Sequence, residues 1–264
     1  MPKSVTTDAG QTFPSHSMLG MRLDYLPVEE FLDEFILRAK SGTSTYCCVP
    51  DVYQCVVCHD NPDHKYIVNQ ADFVFSDSTI LQKVRAWKHK VTPIETLLGS
   101  NLMRNLCERA ENHSVRIALV GGRDDKTLAN LEAALKRDFP DLELVYSYSP
   151  PFRELSKTEE AQMLGNLAAS KAQLIFIGLG CPKQERWMAN YKNELQAAMI
   201  GVGAAFDTLS GAVSESPDFV HRNGLEWLFR LIREPRRLYR RYLVQAPRFL
   251  WLIYRDNLVA KRVS

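Results

Sequence analysis

The chain has 264 residues, enough to bury a full core as one large domain or two small ones. Its hydrophobic and charged fractions, 45% and 24%, are those of an ordinary globular protein, and a formal net charge of +2 argues against a nucleic-acid binder that works through overall charge. The basic residues are unevenly spread, however: they concentrate after Arg230, which points to an anionic partner for the C-terminal part.

Met1 to about Leu19 is polar, lacks the apolar core of a secretory signal, and is expected to be a disordered arm. Without such a signal the six cysteines read as thiols rather than a disulfide framework. Apolar residues at helical spacing predict a helix over Val28 to Lys40, stopped by Gly42. Ser44 to Val49 reads as a strand, Val52 to Val57 as a helix, and Ala71 to Phe75 as a short buried strand with Ser76-Asp77-Ser78 at its carboxyl end. Helical spacing resumes from Thr79 to Trp87 and from Asn101 to Glu111. Val115 to Val120 is a strand, and Gly121-Gly122-Arg123-Asp124-Asp125 leads into a helix up to Arg137. Leu142 to Tyr146 is a strand and Glu159 to Ser170 a helix. The run Leu174-Ile175-Phe176-Ile177 is a strand, followed by Gly178 and Gly180, then Pro182 at a helix start, and Ala198 to Val202 is the last strand. Such alternation predicts an α/β fold of Rossmann-like parallel-sheet units with flanking helices. From Leu225 the pattern becomes a basic, aromatic helical appendage, with Arg236, Arg237, Arg240, Arg241 and Arg248 among apolar and aromatic residues. It suits an anionic membrane surface, or equally a C-terminal helix packed on the domain with a solvated basic face. The expected organisation is therefore an arm over 1–19, an α/β domain over 20–224 and an appendage over 225–264.

Several residues are placed for chemistry. The turn from Gly178 into Lys183-Gln184-Glu185-Arg186 is a strand, a glycine turn and a helix N-terminus, an arrangement that binds anions; an ordinary capped connection remains the alternative. Asp77, at a strand's carboxyl end, can serve as a general base or as a helix N-cap. Asp51 carries the same two readings, and Asp207 is a strand-end or turn residue. Gly121-Gly122 can hold a phosphate or the edge of a base, but lacks the dinucleotide spacing. The late arginines suit a diphosphate, gripped bidentately. Cys55-Val56-Val57-Cys58-His59 matches a haem-attachment pattern by chance spacing in an apolar segment. A zinc site is not expected either, because Cys107 and Cys181 stand alone.

Together these pieces resemble the WecG/TagA/CpsF glycosyltransferases. The resemblance is carried by Gly178-Leu179-Gly180-Cys181-Pro182-Lys183-Gln184-Glu185, by Gly201-Val202-Gly203 with Phe206-Asp207 and Ser210-Gly211, and by Gly224-Leu225-Glu226-Trp227-Leu228-Phe229-Arg230-Leu231 with Glu234-Pro235 after it. It runs from about Leu23 to the C-terminus. It implies an inverting transfer, with no metal or cofactor, from a UDP-sugar to a polyprenyl-diphosphate-linked saccharide in bacterial surface-polysaccharide assembly. It also implies a cytoplasmic protein, peripheral on the inner face of the plasma membrane; self-association stays open, and the low net charge and the helical spacing of the tail's aromatics and arginines speak against a nucleic-acid partner. By position, Asp77 matches the family's catalytic base. Gln184 matches a residue near the nucleotide-sugar, within a binding set of Asp51, Gly121, Gly122, Gly180 and Lys183. Arg230, Arg237 and Arg240 match arginines that bind the diphosphate. The chain departs from the family pattern at Asp51, Ser78, Thr96, Asn101 and Glu215, several of them near the expected sugar site. These departures fit a different donor sugar, or a silent member that binds nucleotide-sugar or lipid carrier as an assembly partner.

Overall fold

The computed structural model describes residues 3–6, 12–76, 78–94, 99–213 and 226–263. Among them six strands form one parallel sheet: β4 (Thr45–Cys48), β5 (Phe73–Val74), β6 (Ile117–Gly121), β7 (Leu144–Tyr148), β8 (Leu174–Gly178) and β9 (Ala198–Gly201), in the order β5-β4-β9-β8-β6-β7. The α/β expectation holds.

Alternation along each strand builds two cores. In β8, Ile175 and Ile177 face one side while Leu174 and Phe176 face the other, and all four are buried. A sheet covered on both faces requires such continuously apolar strands. The first face is covered by α2 (Val52–Asp60), α3 (Pro62–Asn69), α4 (Thr79–His89), α7 (Lys157–Ala169) and α8 (Lys183–Tyr191). The second is covered by α1 (Val28–Ser41), α5 (Gly99–Asn112), α6 (Asp125–Asp138) and the short α9 (Ala205–Leu209). β7 begins two residues later than expected; it is an edge strand and half-buried throughout, so its apolar signal is weak.

The N-terminal expectation needs correction. β1 (Lys3–Thr6), β2 (Thr12–Met18) and β3 (Met21–Asp24) pair into an antiparallel sheet, so residues 12–18 are not a disordered arm. Met18, Met21 and Leu23 are fully buried on the first core. Asp24 is buried too: Arg22 pairs with it at 2.9 Å, and it accepts the Val74 N–H at 2.8 Å. Polar residues can form a strand when their hydrogen bonds are met by a neighbouring sheet, which composition alone does not reveal.

The C-terminal part forms α10 (Glu226–Arg233), α11 (Pro235–Tyr239), a π-helical turn (Arg240–Gln245) and α12 (Ala246–Val263). Pro235 opens α11, where a missing N–H costs nothing. α12 has two sides. Phe249, Leu252 and Ile253 are buried in the first core, whereas Leu250, Trp251, Tyr254 and Leu258 are exposed. Arg248 reaches Asp60 at 2.5 and 2.7 Å, and Lys88 pairs with Asp256, fastening α12 to α2 and α4.

Candidate active site

All six parallel strands end at one edge, and their βα turns meet there, where ligands bind in open α/β sheets. After β8 the chain turns through Gly180, whose φ of +75° suits glycine. Pro182 stands at the N-cap of α8, one position before the expected first turn, and Lys183 opens the helix on the surface. Gln184 is buried. Its Oε1 accepts the Gly180 N–H at 3.1 Å, and its Nε2 donates to Glu185 Oε1 at 3.0 Å. A Cβ on Gly201 would lie 2.7 Å from the Gln184 amide nitrogen, so the end of β9 closes on the same side chain. Gln184 thus locks the β8 turn to β9, and one N–H that would otherwise face an anion is already occupied.

Gly121 has a tighter reason to be glycine. A Cβ there would lie 2.5 Å from the Gly178 carbonyl carbon, and the Gly122 N–H donates to the Gly178 carbonyl at 3.3 Å. The ends of β6 and β8 therefore touch backbone to backbone. Beside them Asp125, Leu128 and Glu132 of α6 face Ser147 and Tyr148 across an open hollow of about 380 Å³.

Asp51 caps α2, accepting the Gln54 N–H at 3.0 Å, so its capping role is real. At the end of β5, Ser76 Oγ donates to the Pro50 carbonyl at 2.6 Å, and Ser78 is the N-cap of α4. That cap role, considered for Asp77, belongs to Ser78. Asp77 itself lies outside the described residues, as do Thr96 and Glu215. Asn101 is in the first turn of α5, on the surface.

The C-terminal segment crosses this edge and is pinned at both ends. Arg123, after β6, holds Asp207 at 2.9 Å and Glu234 at 2.6 Å. Seven positions on, Arg241 holds Asp51 Oδ2 with Nη2 at 2.5 Å and Nε at 3.1 Å. Its guanidinium also lies 5.4 Å from the Tyr53 ring centre. The Asp51 carboxylate raises the pKa of Arg241 further above its ordinary value. From β6 to β4 is three strand spacings, roughly 14 Å, and seven helical residues span about 10 Å, which two side chains extend to fit. Arg230 is half-buried on α10, Arg240 is exposed at the start of the π-helical turn, and Arg237 lies in α11 between the two pins. The ion pairs of Arg123 and Arg241 carry no local sequence signal, because each joins residues remote in the chain.

Beneath the β8 turn lies a cluster not anticipated from the sequence. His64 of α3, Cys181 and Glu185 bring one donor atom each within 4.8 Å of one another. Burial pushes Glu185 up to about 7, lowers His64 to about 4, and raises the Cys181 thiol.

A family model for the glycosyl transferase WecG/TagA/CpsF family matches residues 16–263. The chain belongs to that family. It is thus a glycosyltransferase, of a family that acts in polysaccharide biosynthesis. In this glycosyltransferase the Pro182-Lys183-Gln184-Glu185 block forms the junction of the β8 turn and α8, and Trp227 to Leu231 lie on α10. Among its described residues no helix is long and apolar enough to cross a membrane.

Proposed function

We propose that this glycosyltransferase moves a hexose or N-acetylhexosamine from a UDP-sugar to a polyprenyl-diphosphate-linked saccharide, with inversion and without a metal in the transfer step. The observation that carries the reading is the basic segment pinned across the strand ends by Arg123–Glu234 and Asp51–Arg241. It supports a diphosphate held between the glycine turns and the arginines of α10, α11 and the π-helical turn. Asp77 takes the proton from the acceptor hydroxyl, the oxygen attacks the anomeric carbon, and UDP leaves from the opposite face. Arg230, Arg237 and Arg240 offset the charge gathering on the departing diphosphate. Gln184 and Gly180 shape the donor side, with Lys183 at the rim and Gly121-Gly122 toward the nucleotide. Residues 20–224 carry the donor chemistry, while 225–264 bring the acceptor's lipid carrier.

The exposed Leu250, Trp251 and Tyr254 on a helix rich in arginine support peripheral attachment to an anionic membrane, on the cytoplasmic face where nucleotide-sugars are made. The test is a thermal-shift screen against UDP-sugars, followed by UDP release with and without a short polyprenyl-diphosphate-GlcNAc acceptor. One UDP-sugar raising the melting temperature, with release only when acceptor is present, is the expected result. Asp77→Asn should keep the shift and lose turnover; normal turnover in that variant sinks the base assignment. A shift without release under every acceptor tried favours a binding partner over an active transferase.

A further inference from the structure

We propose that His64, Cys181 and Glu185 form a zinc site that fastens α3 to the turn preceding α8. His64 and Glu185 are fully buried, and Cys181 is partly exposed. Neither ring nitrogen of His64 has a hydrogen-bond partner, nor does Glu185 Oε2. Buried polar atoms are rarely left so, and each orphan needs an explanation. Here three orphans or weak donors of metal-ligating type converge within 4.8 Å. A tetrahedral zinc with bonds of about 2.0–2.3 Å sets its ligand atoms about 3.3–3.8 Å apart, a contraction that side-chain rotation can supply. The donor set is that of zinc: one imidazole, one thiolate and one carboxylate.

Charge favours it as well. A thiolate and a carboxylate neutralise the dication, so the interior receives no net charge, whereas either anion alone would be costly there. Binding releases to solvent the thiol proton and the carboxyl proton of any protonated Glu185, and neutral His64 ligates through one ring nitrogen. Cys181 marks the open side, where water fills the fourth position and the ion gains access. His64 on α3 is remote in sequence from Cys181 and Glu185, which lie four positions apart on α8 and its approach, so coordination ties two helices of the first core together.

The test is independent of sugar transfer. The full chain is freed of metal and titrated with cobalt(II), then with zinc in competition against a chromophoric chelator. The expected result is one ion per chain with a thiolate-to-cobalt charge-transfer band. Cys181→Ala, at a partly exposed position, abolishes the band. His64→Leu weakens zinc by more than the roughly 10–100-fold typical of outer-shell changes. Zinc raises the melting temperature of the wild type but not of Cys181→Ala. Absence of the band in the wild type, its persistence in Cys181→Ala, or unchanged zinc affinity in His64→Leu overturns the proposal.

Discussion

Arg241 grips a single oxygen of Asp51 with two nitrogens, at 2.5 and 3.1 Å, across 190 positions of sequence. The same carboxylate group caps α2 through its other oxygen. One side chain thereby joins the first turn of a core helix to the basic C-terminal segment over the strand ends.

That link can be weighed by a double-mutant cycle. Asp51→Asn and Arg241→Ala should each raise the KM for the donor, and the double variant should be little worse than either. The coupling in urea unfolding should be about 0.5–1 kcal/mol, because the pair is partly screened by solvent. Full additivity of the two changes would show that the contact contributes nothing.

The two glycine turns should respond differently to a methyl group. Gly121→Ala meets the Gly178 backbone at 2.5 Å and has a φ of +136°, so a loss of about 2–4 kcal/mol is expected. Gly180→Ala meets no atom within 4 Å and incurs only the positive-φ strain at +75°, about 1 kcal/mol. Equilibrium unfolding of both variants checks the order; equal losses would contradict the close contact of β6 and β8.

The two sides of α12 separate stability from membrane binding. Phe249→Ala should cost about 3–5 kcal/mol, since it empties a fully buried position. Trp251→Ala, more than half exposed, should leave the melting temperature within a degree or two while lowering sedimentation with anionic vesicles. Truncation after Ile232 cannot separate these effects, because it also removes buried Leu238, Phe249, Leu252 and Ile253. Vesicle binding unchanged in the Trp251 variant would assign the membrane contact to another surface.

Acid should weaken the N-terminal sheet through His16. Burial, then His89 with its ring 4.4 Å away, then Arg85 lower its pKa to about 4. The unfolded chain takes up that proton near 6.5, so between pH 6.5 and 4 the unfolded state binds more protons and stability falls with pH. The contribution present above pH 6.5 is lost toward pH 4, a matter of about 1–2 kcal/mol. His16→Gln should flatten the stability profile across that window, and an unchanged slope would remove His16 from the account.

Much of the architecture was legible in the residues because strand and helix periods are local properties. Val28 to Ser41 forms a helix ended by Gly42 at φ +69°, as its spacing and stop residue predict. The β8 turn into Lys183-Gln184-Glu185 was likewise readable, because glycine, proline and a polar first turn act within a few bonds of one another. The N-terminal strands were missed, since Thr12–Met18 is polar and its burial depends on pairing with β3, on Arg22 reaching the Ala71 and Asp72 carbonyls and on Asp24 reaching β5.

By itself, then, the order of apolar periods and turn residues determined an α/β chain with a glycine-rich βα turn and a basic helical end, and carried its family likeness. Only the tertiary structure decided that Arg123 and Arg241 pin that end across the sheet, that Gly121 must yield to Gly178, and that His64 meets Cys181 and Glu185. The physical reason is distance along the chain. Periodicity and capping act over a turn or two, whereas ion pairs, backbone contacts and ligand sets are made by strand order, which brings remote carboxyl ends to one edge.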